Sequence, residues 1–152
     1  MKVFKIAIIT LVFALIFVKC ASVSKLTNHA PEALKEAYYQ NWNSGLKDGG
    51  SGTDLYIGLH DNPIILDSVY FRGQLSILSK SSNHSLLYIG RFSFNNQIYN
   101  ELAESSFFPF QIKDNECLIS YKLLKNNTLK YYRIVNVKMR KTLNYPGDSS
   151  RF

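Results

Sequence analysis

The chain has 152 residues, a formal charge of +7 and 46% hydrophobic residues. That length suits one domain plus a targeting segment, and the apolar content excludes disorder of the whole chain. Three of the eighteen basic residues, Lys2, Lys5 and Lys19, precede Cys20, leaving fifteen bases against eleven acids, a balance of +4 that does not call for a nucleic-acid partner. Aromatic residues make up 14%, an enrichment that favours strands over helices.

The N-terminus carries the most specific functional signal. Lys2 and Lys5 are followed by an apolar run over residues 6–18, broken only by Thr10. At about 1.5 Å per residue that run reaches roughly 20 Å, short of the ~30 Å hydrocarbon core, so it reads as the apolar part of a signal peptide and not as a membrane span. It ends in Phe17-Val18-Lys19-Cys20-Ala21-Ser22. A Cys directly after such a run resembles the lipobox of bacterial lipoproteins. The resemblance implies that the Cys20 thiol takes a diacylglyceryl group and becomes the first mature residue. The sequence departs from that pattern at Lys19, where a small residue is usual. The alternatives are ordinary cleavage near Ala21 or Ser22, which would give a secreted or periplasmic soluble protein, and an uncleaved anchor.

If Cys20 holds lipid, Cys117 is the one thiol left and no internal disulfide is available. Cys117 lies beside Leu118 in a predicted strand and reads as a buried, inert thiol. Residues 21–30, ASVSKLTNHA, are small and polar and read as a tether. Residues 31–42 admit a helix, since Leu34, Ala37, Tyr38 and Trp42 fall at helical spacing. The aromatics and the glycine-rich stretch that follows favour a strand over residues 36–43 instead.

Residues 45–53, GLKDGGSGT, lack the Gly-Lys of a phosphate-binding Walker loop and precede a strand where a dinucleotide site needs a helix. They also miss the nucleophile-elbow pattern at Thr53. A hairpin loop using positive φ is the expectation. Leu55, Ile57 and Leu59 then alternate with Tyr56 and Gly58, the period of a strand with one buried face. Asp61-Asn62-Pro63 is turn chemistry. A second β-rich run follows over residues 64–71 and ends at Gly73.

Trp42-x-x-Gly45-x-Lys47-x-Gly49-Gly50-Ser51-Gly52, with Leu66-Asp67-Ser68-Val69-Tyr70-Phe71-Arg72-Gly73, resembles a group of small secreted lipoproteins of the Bacteroidota for which no activity is established. The similarity covers residues 38–91 and a Lys-Asp-x-Glu-Cys stretch at residues 113–117. It implies an exported β-rich domain and brings no catalytic residue.

Residues 75–80 and 86–94 read as strands. Residues 95–106 read as a long loop, and the run Phe107-Phe108-Pro109-Phe110 as an edge or a strand start. Residues 116–124 and 129–139 flank Lys125-Asn126-Asn127-Thr128 as a hairpin, with Leu129, Tyr131, Val135 and Val137 facing inward and Arg133 as the misfit. The domain plan is a signal peptide over 1–19, a tether over 20–30, a sandwich over 31–141 and a loose tail over 142–152. Seven or eight short strands make a small antiparallel β-sandwich, with a partly open barrel as the alternative. Leu55, Ile57, Leu59, Val69, Phe71, Ile89, Ile119, Val135 and Val137 form the expected core.

Little in the chain supports an enzyme. His29, His60 and His84 are scattered, no CxxC or HExxH occurs, and no local pattern anchors a Ser/His/Asp triad or a carboxylate pair. No catalytic, cofactor or metal residue is therefore assigned, and lipidation at Cys20 is the single modification expected. Lys122, Lys125, Lys130, Arg133, Lys138, Arg140 and Lys141 occur with no acid between Cys117 and Tyr145. They suit either an anionic partner, such as phospholipid headgroups, an acidic glycan or a peptide, or a solvated face that deters edge pairing. Two functional classes follow: a lipid-tethered interaction or structural domain of the cell envelope, and a glycan-binding or glycan-processing protein using Tyr38, Tyr56, Tyr70 and Tyr132.

Overall fold

The computed structural model describes residues 26–46, 49–61, 63–93 and 112–146. The expected signal peptide, Cys20, the expected loop over 95–106, the aromatic run Phe107–Phe110 and the last six residues lie outside them. The elements in chain order are β1 (Leu26–Thr27), β2 (Leu34–Asn43), β3 (Ser51–Leu59), β4 (Ile64–Phe71), β5 (Gln74–Ile77), β6 (Ser79–Lys80), β7 (Leu87–Ser93), β8 (Cys117–Leu123), β9 (Leu129–Ile134) and β10 (Lys138–Asn144).

They form two five-stranded sheets. Sheet A has the order β1-β9-β8-β4-β5, and sheet B has the order β10-β2-β3-β7-β6. The fold is an all-β sandwich, not a closed barrel. It is mixed where an antiparallel fold was expected, because β1 runs parallel to β9 and β10 runs parallel to β2. Consecutive hairpins alternate between the sheets, so the apolar side of each has a partner face to cover it.

The alternation in β3 does what its period demands. Leu55 and Ile57 are 0% exposed and Leu59 is buried, while Tyr56 points to the other face. Across the gap lie Val69 and Phe71 of β4 and Ile119 of β8, all buried. The inner rows are cross-strand neighbours: Val69 pairs with Ile119 and Ile119 with Tyr132, while Phe71 pairs with Cys117 and Cys117 with Ile134. The sheets approach closely at Gly90, where an added Cβ would stand 2.7 Å from Val69 Cγ1.

A β-bulge between Leu66 and Ser68 lets β4 bury residues of both parities. Ile64 and Leu66 point inward before it, and Val69 and Phe71 after it. The displaced residue, Asp67, stays exposed and accepts a hydrogen bond from Ser120 Oγ at 3.2 Å. The Ser68 N–H donates to the same Ser120 oxygen at 3.0 Å, so the break in the ladder is satisfied by side chains.

Three expectations are corrected. Val135 is 53% exposed, because β9 ends at Ile134 and the chain turns through Asn136 at φ 56 before Val137 reaches the core. The phase within β9 is also reversed. Tyr132 packs on the core and Ile134 is buried, whereas Tyr131 pairs with Ser120 on the outer face and Leu129 is exposed. Arg133 was the warning: with the phase reversed it points outward, within 3.9 Å of Glu116. Ile89 is half-buried on the outer face of sheet B, and Tyr88 takes the core position. Both parities of β7 are apolar, so alternation alone does not choose between them.

The long C-terminal arm is therefore two strands in two sheets. It leaves sheet A after Ile134 and joins the edge of sheet B as β10, which reaches Asn144, past residue 141. At the other terminus, Leu26 and Thr27 of the expected tether form β1.

These faces predict unequal costs. Ile57→Ala should lose about 2–5 kcal/mol in urea melts, as buried large-to-small changes do. Val135→Ala, on an exposed corner, should stay within about 0.5 kcal/mol of wild type. Equal losses would mean the inner and outer faces are misassigned.

Candidate functional site

The β4–β5 connection is a two-residue hairpin, since Phe71 pairs with Gln74. Arg72 has φ 49 and Gly73 has φ 80, the two positive values of a type I′ turn. An arginine is unusual in a left-handed conformation, and its side chain supplies the compensation. Its Nη2 donates to the Tyr39 hydroxyl at 2.8 Å and its Nε donates to the Asp114 carbonyl at 3.1 Å. The guanidinium carbon stands 4.5 Å from the Tyr39 ring centre and 5.0 Å from that of Phe71. Tyr39 belongs to sheet B and Phe71 to sheet A, so Arg72 ties the two layers together. The sequence offered a signal for this turn, two β-rich runs separated by Arg-Gly.

The outer face of sheet B carries an aromatic cluster. Tyr38 and Tyr56 are directly opposed across β2 and β3, with ring centres 4.9 Å apart and planes 14° from parallel. Arg140 of β10 lies over Tyr38, its guanidinium carbon 3.3 Å from the ring centre, and it reaches Glu36 at 3.2 Å. Arg140 and Tyr56 come from the two strands that flank β2, so Tyr38 is stacked between them and the cluster offers ring edges beside charge, not an open ring face. The four tyrosines weighed for glycan binding do not gather here. Tyr70 belongs to the outer face of sheet A, opposite Leu118, and Tyr132 packs on the core.

A cavity of about 540 Å³ opens at one end of the sandwich, where the β1–β2 link, the start of β4 and the β8–β9 hairpin meet. His29, Glu32, Tyr121 and Lys130 are among its lining residues. Thr27 fixes one wall, donating to the Tyr131 carbonyl at 2.8 Å. His60 follows β3 and His84 precedes β7, which puts all three histidines at this end of the fold, each exposed. Among the described residues, no three His, Cys, Asp or Glu side chains gather into a set that could hold a metal ion.

Cys117 is fully buried between Phe71 and Ile134. Burial pushes its thiol up to about 12, because the thiolate would have to form in an apolar layer. A group so held is a poor nucleophile near neutrality.

The glycine-rich connection joins β2 to β3, with Asn43 paired to Ser51. Gly50 has φ 70, and its carbonyl accepts from the Ser44 N–H at 3.0 Å, closing the loop. Gly52 belongs to the strand and not to the loop. Its absent side chain lets Trp42 lie across β3, since an added Cβ would come within 2.6 Å of the indole and closer still to the Phe92 carbonyl oxygen. Lys47 and Asp48 lie outside the described residues.

The basic run of the C-terminal third is divided by the fold. Lys122, Lys125, Lys130 and Arg133 belong to the hairpin in sheet A, whereas Lys138, Arg140 and Lys141 lie on the β10 edge of sheet B. Lys122, Arg133 and Arg140 each face an acid from another strand or link: Asp67, Glu116 and Glu36.

No family model, no curated protein and no solved structure matches this chain.

Two outcomes are expected. Cys117 should resist alkylation in the folded protein at pH 8 and react fully in denaturant. The folded thiol titrates above the unfolded one, so its contribution to stability is complete below pH 9 and is lost as pH rises toward 12. Cys117→Ala should lack that alkaline loss in melts run across this window. Separately, Gly50→Ala and Gly52→Ala should each destabilise by about 1 kcal/mol or more, the first through φ and the second through the Trp42 contact, while Ser51→Ala is nearly silent.

Proposed function

We propose that the chain is a lipid-anchored protein of an exported bacterial cell envelope, and that its sandwich is a non-catalytic interaction or structural domain. One observation carries the reading: Cys20 closes an apolar run preceded by two lysines and too short to span a bilayer. The resemblance of residues 38–91 to small Bacteroidota lipoproteins points the same way. Acylation would give a durable tether, since each buried CH₂ contributes about 0.8 kcal/mol and lipoproteins carry more than one chain.

A second reading is glycan binding, favoured by the stacked Tyr38–Tyr56 pair with Arg140 beside it. A sugar would meet the edges of these rings, and the guanidinium would exchange its Glu36 partner for an acidic substituent. Glycan arrays probed with wild type and Tyr38→Ala decide it. A signal lost in the variant supports the reading, and an array silent for wild type removes it.

The anchor is tested in cells. Cys20→Ser should move the protein from the membrane to a soluble fraction, and labelled palmitate should enter wild type but not the variant. A membrane-bound variant together with an unlabelled wild type would overturn the lipoprotein assignment.

A further inference from the structure

We infer that the β8–β9 turn and the adjoining corner of sheet A rest on the anionic surface of the membrane to which the protein is tethered; this deepens the lipid-anchor reading and rests on it. The first ground is direction. β1 is parallel to β9, with Leu26 opposite Tyr131 and Thr27 opposite Tyr132. The chain therefore enters sheet A from the end where β9 begins, at Leu129. Six residue steps separate Cys20 from Leu26, and a fully extended chain covers at most about 3.6 Å per step, or roughly 20 Å. A tether that short, arriving from that side, turns the Leu129 end of the sandwich toward the bilayer.

The second ground is the surface found there. Leu124 is 60% exposed, and Leu129 and Ile65 are each 44% exposed. Lys122 pairs with both Ile65 and Leu129 across the strands, Lys125 follows Leu124 in the turn, and Lys130 follows Leu129. Apolar side chains interleaved with lysines suit the headgroup boundary, where ammonium groups meet lipid phosphates and leucines reach the first acyl carbons. Asp67, on the same sheet, is engaged by Lys122 at 3.6 Å and by Ser120, and Glu32 lines the same cavity as Lys130. The other acids at this end, Glu32 and Asp61, belong to the β1–β2 and β3–β4 links.

The third ground is rigidity. Asn127 sits at φ 52, its N–H donates to the Leu123 carbonyl at 2.8 Å, and the Leu124 N–H donates to the Pro63 carbonyl at 3.1 Å. The peptide group that precedes the exposed leucine is thus held at both its carbonyl and its N–H.

The test uses full-length acylated protein in vesicles of phosphatidylethanolamine and phosphatidylglycerol, with and without brominated acyl chains. Leu124→Trp places a reporter at the proposed contact. Val135→Trp places one at the far end of β9, about 20 Å away at the usual strand rise. The natural Trp42 also lies at the far end, beside the β2–β3 loop. Brominated lipid should quench at least half of the emission that Leu124→Trp adds, and should leave Val135→Trp at the wild-type level. Lys125→Glu with Lys130→Glu in the Leu124→Trp chain should reduce that quenching at least twofold. Palmitate incorporation is read on the same samples. Label present with no quenching at position 124 overturns the contact and leaves the anchor standing. Label absent removes the anchor and this inference with it. Crosslinking of position 124 to a second copy, without quenching, assigns the corner to self-association and also overturns the inference.

Discussion

The apolar contact between two inner sheet faces holds this molecule together, because the described chain has no covalent staple to share the task. Cys117, free and buried, serves as one more small apolar side chain within that layer. Everything positioned by the layer depends on its registers. The Val69–Ile119–Tyr132 and Phe71–Cys117–Ile134 rows set which side chains emerge on the outer face of sheet A. Leu55 and Ile57 likewise oblige Tyr56 to emerge on sheet B, where Tyr38 meets it. A one-residue slip would exchange both faces at once.

Two devices secure the layer at its weak points. Arg72 spans it, with its guanidinium on rings from both sheets and its backbone in the turn that starts β5. The bulge at Asp67 absorbs a parity change that would otherwise put a carboxylate inside, and the Ser68–Ser120 pair satisfies the polar atoms this releases. Each is a polar solution to a packing problem, and each sits where a sheet's regular pattern stops.

The edges follow the same logic. β1, β5 and β6 are two to four residues long, too short to recruit a foreign strand. The long edge, β10, carries Lys138, Arg140 and Lys141. Part of the basic character of the C-terminal third is thereby an edge property. The remainder belongs to the β8–β9 hairpin, which lies at the end where the N-terminal chain joins sheet A.

By itself the sequence determined the class of the fold, the place of β3, and the inward faces of β3, β8 and the second half of β4. In these, one parity holds most of the apolar side chains, with Leu118 of β8 the exception, so the pleat has one preferred way to lie. The apolar run before Cys20 was equally legible, because its length and flanks are local facts. Other features came only from the tertiary structure. β9 and β10 read as one arm because nothing local marks Asn136 as the residue that breaks the phase; the requirement that Val137 reach the core does so. In β7, Tyr88 and Ile89 are both apolar, and the space left by Gly90 against Val69 suits the parity that buries the tyrosine. The parallel pairings of β1 and β10 join residues about a hundred positions apart, a separation over which no local pattern carries information. For the same reason the Tyr38–Arg140 contact and the Arg72 tie could be found only after the sheets were in place.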